Sequence, residues 1–390
     1  MLSFFKKPIF SDFRFIFGVY FLFTLFASTR TVILLDSNNY RIFYYSLYHL
    51  IEGVSLYTTY PAQYEDHFHY APTFGALFSP IFALPFRVGL FLWHFLFAGV
   101  WAYAIYKMPF TRQQKVFAYW YCLQELFTSL VNSQTNPLIG AIPLFAFLSF
   151  EKKQPIWAAF FIVLGFNIKI YSLVAAALFL LYPQKIRFLL AMVGWGLVLA
   201  VLPLLFTSPA KLLWQYELWV NQLLIKSDHD KWANTSIHRL VHTFISPDIA
   251  TPVIIGLGVL LFCTVYIQRK QFTLRSFRML MTASILIFQV IFNPVSESPT
   301  YITAVTGVVI WWFYSPQNLL DRTLLISCFV LTILSPSDVF PPFLRERYVL
   351  PYALKALPCV LIWFRIIYLM HMPSSSTQSE ANLQHVQLSN

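Results

Sequence analysis

The sequence predicts an all-α, polytopic membrane protein, a bundle of about 12 transmembrane helices with further helices lying at the membrane surface. Three observations carry this. Of the 390 residues, 58% are hydrophobic and only 11% are charged, against about 25% charged in a typical soluble domain. Mean hydropathy is +0.62. The apolar residues gather into runs separated by short basic junctions, and helices satisfy their own backbone in lipid. The net charge of +11 raises a nucleic-acid partner as a possibility. The cations, however, sit in clusters between apolar runs, as membrane topology requires, so no nucleic-acid partner is expected.

A span needs about 20 apolar residues. The runs place spans near 13–34, 88–106, 115–131, 137–150, 155–167, 170–182, 187–206, 251–268, 278–292, 300–314, 320–335 and 349–369. "FFKKPIF" puts positive charge before the first span, but no small-residue cleavage site follows, so that span reads as uncleaved. The basic junctions are "FKK", "YKMPFTRQQK", "EKKQP", "PQKIR" and "QRKQFTLRSFR". All five fall on one side if the spans alternate. The positive-inside rule makes that side the cytoplasm, with both termini on it, in a multi-pass protein of the cell membrane. Residues 1–370 then form a single integral membrane domain. The polar stretch 371–390 is expected to be a disordered cytoplasmic tail.

The opposite, outer side receives two long segments, 35–87 and 207–250. After Asp36, apolar and aromatic residues at Tyr40, Phe43, Tyr44, Leu47, Leu50 and Ile51 make a helical stripe. Asp36 or Ser37 can cap this helix, and Gly53 can end it. Residues 68–86 are too short and Pro-rich to span and read as a second interfacial helix. Residues 155–182 are too few for two full crossings. They predict two short helices meeting at Lys169, an arrangement tolerated only where it lines a cavity. The four cysteines, Cys122, Cys263, Cys328 and Cys359, lie in apolar runs without metal spacing and read as core filler.

The order of these segments carries a resemblance. "DSNNYRIFYYSLYHLIEGVSLY", "FHYAPTFGALFSPIFALP", "NSQTNPLIGAI", "GFNIKIYSLVAAALFLLYP" and "NPVSESPTY" together resemble the GT-C superfamily of membrane glycosyltransferases. Within it they are most similar to glycosyltransferase family 87, the polyprenol-phosphate-mannose-dependent mannosyltransferases. The resemblance implies a GT-C-like bundle with its active site on the outer face. It also implies a hexosyltransferase of the cell envelope that takes a polyprenyl-phosphate sugar donor, mannose or a related sugar, and a lipid- or glycan-linked acceptor. One departure is visible. The family often has histidine near the outer end of the span after "NP", where this chain has Glu297 and Tyr301.

With such a donor, the leaving group is a lipid phosphate that needs electrostatic stabilisation more than a proton. The acceptor hydroxyl must lose a proton, for which one carboxylate suffices as general base. A double displacement would need a second carboxylate nearby, as in retaining glycosidases; none is close to Asp36 in the sequence. Asp36 is therefore the expected base of a single inverting displacement, beside its capping role.

Lys169 at membrane depth would be costly without a partner. A donor phosphate is one partner, and snorkelling to the surface is the alternative. Arg239 can also meet a phosphate or remain a solvated loop charge. Asn132, Gln134 and Asn136 suit sugar hydroxyls and equally suit helix ends. Tyr40, Asn234, His238, Glu297 and Tyr301 complete the expected contacts to sugar or acceptor; Glu297 can also serve as a helix-start carboxylate. His238 and His242 stand i, i+4, but no zincin glutamate follows His238 and no third ligand is evident. No metal and no cofactor are expected. A membrane transporter or lipid-linked-glycan flippase is the main alternative. It would be expected to show inverted repeats and mid-membrane ionisable residues. A membrane polymerase or ligase of glycans is a third possibility.

Overall fold

The computed structural model describes residues 8–34, 37–225 and 235–372. Asp36, Asn234 and most of the polar tail lie outside the described residues. Among those described, the regular elements are all helical.

The first are α1 (Phe13–Leu34), α2 (Asn38–Glu52), α3 (Thr73–Leu77), α4 (Ser79–Phe82), α5 (Phe86–Lys107), α6 (Arg112–Val131), α7 (Asn136–Glu151) and α8 (Pro155–Ile168). A 3₁₀ helix, Ile170–Leu181, comes next. Then follow α9 (Lys185–Val201), α10 (Pro209–Ile225), α11 (Ile237–Phe244), α12 (Thr251–Thr264), α13 (Arg275–Ile291) and α14 (Tyr301–Tyr314). The last are α15 (Leu319–Ser327), α16 (Pro342–Leu344) and α17 (Leu357–His371). Three helical stretches, Phe13–Leu34, Phe86–Lys107 and Lys185–Leu205, are long and apolar enough to cross a membrane by length and composition. Shorter apolar helices, among them Asn136–Glu151, Thr251–Ile267 and Leu357–His371, accompany them.

Several boundaries differ from expectation. The last helix begins at Leu357 rather than 349, because Pro358 occupies its first turn, where a missing N–H costs nothing. The interfacial helix expected over 68–86 is two short ones, the second with Pro80 in its first turn. α2 buries Tyr40, Phe43, Leu47 and Leu50, but Ile51 of the expected stripe is 53% exposed. Gly53 ends α2 in the left-handed region, φ 71°, its N–H bonded to the His49 carbonyl. Cys122, Cys328 and Cys359 are buried, whereas Cys263 is exposed and so does not fill the core.

Hydrogen bonds sort the helix ends into two groups. At one end, Arg112 Nη2 donates to the Ser11 carbonyl. Arg278 pairs with Glu151 at 2.7 Å, and Tyr182 donates to the same carboxylate. The other end gathers the start of α2, the α6–α7 turn, the α8–3₁₀ junction and the α13–α14 turn. A second core forms there around Phe43, Phe74, Trp93, Ile139 and Ile168, clamping α2, α3 and α4 onto α5, α7 and α8.

Candidate functional site

The site is built at that second end. Its base is the α8–3₁₀ junction. Lys169 breaks the helix with extended backbone, φ −141° and ψ 115°. The α-helix before it is about 21 Å long at 1.5 Å per residue. The 3₁₀ helix after it reaches about 24 Å because each residue rises about 2.0 Å. Both fall short of the roughly 30 Å hydrocarbon core, and they meet at Lys169.

Lys169 Nζ donates to Asn136 Oδ1 at 2.6 Å and lies 5.9 Å from the Tyr171 ring centroid. Asn136 opens α7, with Pro137 in the first turn, and is buried. The Thr303 hydroxyl donates to its carbonyl. Asn136 thus presents its side chain to Lys169 and does not cap the helix. Its Nδ2 has no hydrogen-bond partner among the described residues.

The turn before α7 is held from below. The Trp93 indole donates to the Ser133 carbonyl. His94 bonds the Ser133 hydroxyl on one ring nitrogen and Ser28 on the other. Ser133 has φ 52°, a left-handed conformation uncommon for a non-glycine residue. Gln134 and Thr135 are buried, and Gln134 Oε1 and Thr135 Oγ1 have no hydrogen-bond partner among the described residues. Asn132 is exposed; its amide donates to the Thr128 carbonyl, and its carbonyl accepts from Asn39 of α2.

Above Lys169 stand groups that sequence reasoning missed. Tyr70 is held through its carbonyl by the Tyr57 hydroxyl and packs on Phe43 and Phe74. Burial raises its phenol well above its ordinary value; Thr135 partly offsets this, and the Glu297 and Asp66 carboxylates add to it. The Thr135 hydroxyl is within hydrogen-bonding reach of the phenol. Glu297 also acts through space on Tyr171. It projects from the α13–α14 turn, where Asn293 Oδ1 accepts from Val295 N–H and Thr300 bonds the Glu297 carbonyl. Lys169 thus meets Asn136 and Tyr171 at this end of the bundle.

The other expected residues lie elsewhere. Tyr40 is enclosed by Phe82, Phe86 and Trp93, and a side chain on Gly89 would strike its hydroxyl. Tyr301 is buried and donates to the Thr235 carbonyl. His238 is buried and bonds the Phe292 carbonyl through Nε2, while His242 bonds that of Ile249. These side chains fasten backbone near α11. Arg239 is half-buried on α11. Also missed was a buried pair, Glu125 and Lys355, 2.7 Å apart. Glu125 is the one acid in the span expected at 115–131, and an acid inside an apolar run is itself a signal.

Beside the base, α5, α7 and α8 frame an apolar groove of about 490 Å³. Leu138 and Leu164 line it near Asn136 and Lys169; Phe95, Gly99, Tyr103, Phe145 and Phe161 continue it along the helices.

Among curated proteins, none matches the chain. Residues 68–294, more than half of its length, match glycosyltransferase family 87. The matched region contains Lys169, Asn132, Gln134, Asn136, His238 and Arg239; Asp36, Tyr40, Glu297 and Tyr301 lie outside it. The apolar helices and this match agree: the chain is a membrane protein that belongs to glycosyltransferase family 87.

Proposed function

We propose that this glycosyltransferase moves a hexose, mannose or a close relative, from a polyprenyl-phosphate donor to a hydroxyl of a lipid- or glycan-linked acceptor. One observation supports the donor class: Lys169 bonds Asn136 at the start of α7, and α7 and α8 also frame the apolar groove lined by Leu138 and Leu164. An ammonium beside an apolar channel matches a ligand with a phosphate head and an isoprenoid tail, and lipid phosphate is an anion available at that depth. Asn132, Gln134, Asn136, Asn234 and Glu297 are assigned to the sugars, and Tyr40, His238 and Tyr301 to holding the surrounding structure.

Asp36 is the general base. The described residues on either side, Leu34 and Ser37, belong to the site end of the bundle. The carboxylate takes the acceptor's hydroxyl proton as that oxygen attacks the anomeric carbon. The anomeric C–O bond to phosphate breaks, and polyprenyl phosphate leaves with the electron pair. Inversion follows from one displacement with one base. No step requires a cofactor or a metal.

The orientation follows the cations. The junctions holding Arg112, Lys152, Lys153, Lys185 and Arg187 lie at the end away from the site. The positive-inside rule puts that end and both termini in the cytoplasm and the site on the outer face of the cell membrane. The test is transfer by purified protein in lipid nanodiscs from a panel of polyprenyl-phosphate sugars. Release of polyprenyl phosphate with glycosylation of an acceptor supports the reading. Transbilayer movement of the lipid with no transfer supports a flippase instead.

A further inference from the structure

We infer that His94 is a positioning residue that keeps the general base and the donor-phosphate lysine in register. This rests on the roles given above to Asp36 and Lys169. His94 lies in α5 and is fully buried. It acts through two serines. Its Nδ1 is 3.0 Å from Ser28 Oγ of α1, and its Nε2 is 3.0 Å from Ser133 Oγ in the turn before α7.

The direction of each bond follows from its neighbours. Ser28 gives its one hydroxyl hydrogen to the Thr24 carbonyl at 2.8 Å, so towards His94 it accepts. Nδ1 therefore carries the ring proton. No carboxylate bonds the ring among the described residues, and an unpaired charge is costly when buried. The ring is neutral, Nε2 is its acceptor, and Ser133 donates to it. One tautomer serves both serines.

The phosphate anchor hangs on the Ser133 arm. The φ of Ser133, 52°, is one that glycine adopts without steric cost. What serine adds there is the hydroxyl that bonds His94. Three residues on, Asn136 bonds Lys169 at 2.6 Å. The other arm holds α1, which ends at Leu34, just before Asp36. Beyond Asp36, Asn39 of α2 donates to the Asn132 carbonyl at 2.9 Å. The turn that leads to Asn136 is thus tied to the chain on both sides of Asp36, through His94 before it and Asn39 after it. A single displacement needs that register, since base, anomeric carbon and phosphate must be held in one geometry.

Two amides separate the arms, because the amide of asparagine lies near the place of Nδ1 and that of glutamine reaches the place of Nε2. His94→Asn can still donate to Ser28 but loses Ser133. His94→Gln can still accept from Ser133 but loses Ser28. Steady-state transfer by the full chain in nanodiscs, from polyprenyl-phosphate mannose and polyprenyl-phosphate glucose, reads both. His94→Asn should raise the donor KM severalfold with kcat close to native. His94→Gln should lower kcat severalfold with the donor KM close to native. Ser133→Gly suits the left-handed turn, so its thermal midpoint should stay near the native one while its donor KM rises. The same loss in both His94 variants overturns the positioning role. So does a native donor KM in Ser133→Gly. A native protein that transfers neither sugar overturns the donor class itself, and the inference with it.

Discussion

Lys169 Nζ and Asn136 Oδ1 meet at 2.6 Å across 33 positions of sequence, joining the α8–3₁₀ junction to the first turn of α7. The bond orients the ammonium, and an amide oxygen is a neutral acceptor. Lys169→Ala should therefore raise the apparent donor KM by roughly tenfold or more, the scale of a hydrogen bond to a charged group, with the acceptor KM unchanged. Lys169→Arg should restore part of the loss, since a broad guanidinium replaces a compact ammonium. Asn136→Ala should act in the same direction with a smaller effect. Steady-state kinetics with each substrate varied in turn reads all three. An unchanged donor KM in Lys169→Ala would leave snorkelling as the account of this lysine.

Asp36→Asn should leave the protein folded and slow transfer by about 10²–10⁴, the usual effect of removing a general base. Single-turnover transfer at saturating donor measures the chemical step. Near-native rates in a protein with an unchanged thermal midpoint would remove Asp36 from the mechanism and return it to helix capping.

Gly99 tests the groove. A Cβ at this position meets no atom within 4 Å, so the Cβ of Gly99→Leu is accommodated, and the substitution raises helix propensity by up to about 1 kcal/mol. Its side chain would nevertheless enter the space between α5, α7 and α8. Transfer from long-chain donors should fall severalfold, while donors of only one or two isoprene units should be little affected. An equal response at both chain lengths would mean that the lipid lies elsewhere.

The sequence exposes the fold more fully than the site. Apolar runs and basic junctions mark helices because lipid imposes its demand on every residue of a run, and the mark survives in one dimension. The broken pair at Lys169 was legible for the same reason: the run from 155 to 182 is too short for two crossings. The site is only partly so marked. Lys169, Asn136 and Glu297 stand out as polar residues at the ends of apolar runs. Tyr70 and Tyr171 do not, because tyrosines abound in the neighbouring helices and only folding packs Tyr70 on Phe43 and Phe74. Tyr40 had every sequence credential and lies enclosed in an aromatic core. Glu125 and Lys355 went unread because each sits singly in an apolar stretch, and their pairing spans 230 positions.

That pair gives a stability prediction. Lys355 donates to Glu125 at 2.7 Å and to the Thr332 carbonyl at 3.0 Å, and its ammonium lies 4.9 Å from the Tyr301 ring centroid. Glu125 is fully buried and Lys355 nearly so. Removing one partner strands the other charge, which costs about 3–5 kcal/mol. Glu125→Leu and Lys355→Met should each lower the thermal midpoint strongly. The double variant should recover most of the loss, because an apolar pair carries no stranded charge. Additive losses in the double variant would show that the two residues act independently.

The last prediction concerns acid. His238 fastens α11 to the Phe292 carbonyl, and His49 of α2 bonds Gln63 at 2.7 Å. Burial lowers the pKa of both imidazoles below the ordinary 6.5. For His238 the Phe292 bond offsets this in part and His242 adds to it; for His49 the Gln63 bond and Glu52 offset it. Both rings are therefore harder to protonate in the folded protein than in the unfolded chain. Above about pH 6.5 both states hold them neutral and stability does not change with pH on their account. As pH falls below 6.5, the unfolded chain binds protons first, and stability is lost until the folded rings protonate too. The thermal midpoint should thus hold between pH 8 and 7 and drop between 6.5 and 5. In His238→Gln the amide cannot titrate, so the drop should be shallower, though the variant starts from a lower midpoint. A drop of native size in His238→Gln would assign the acid sensitivity to other groups.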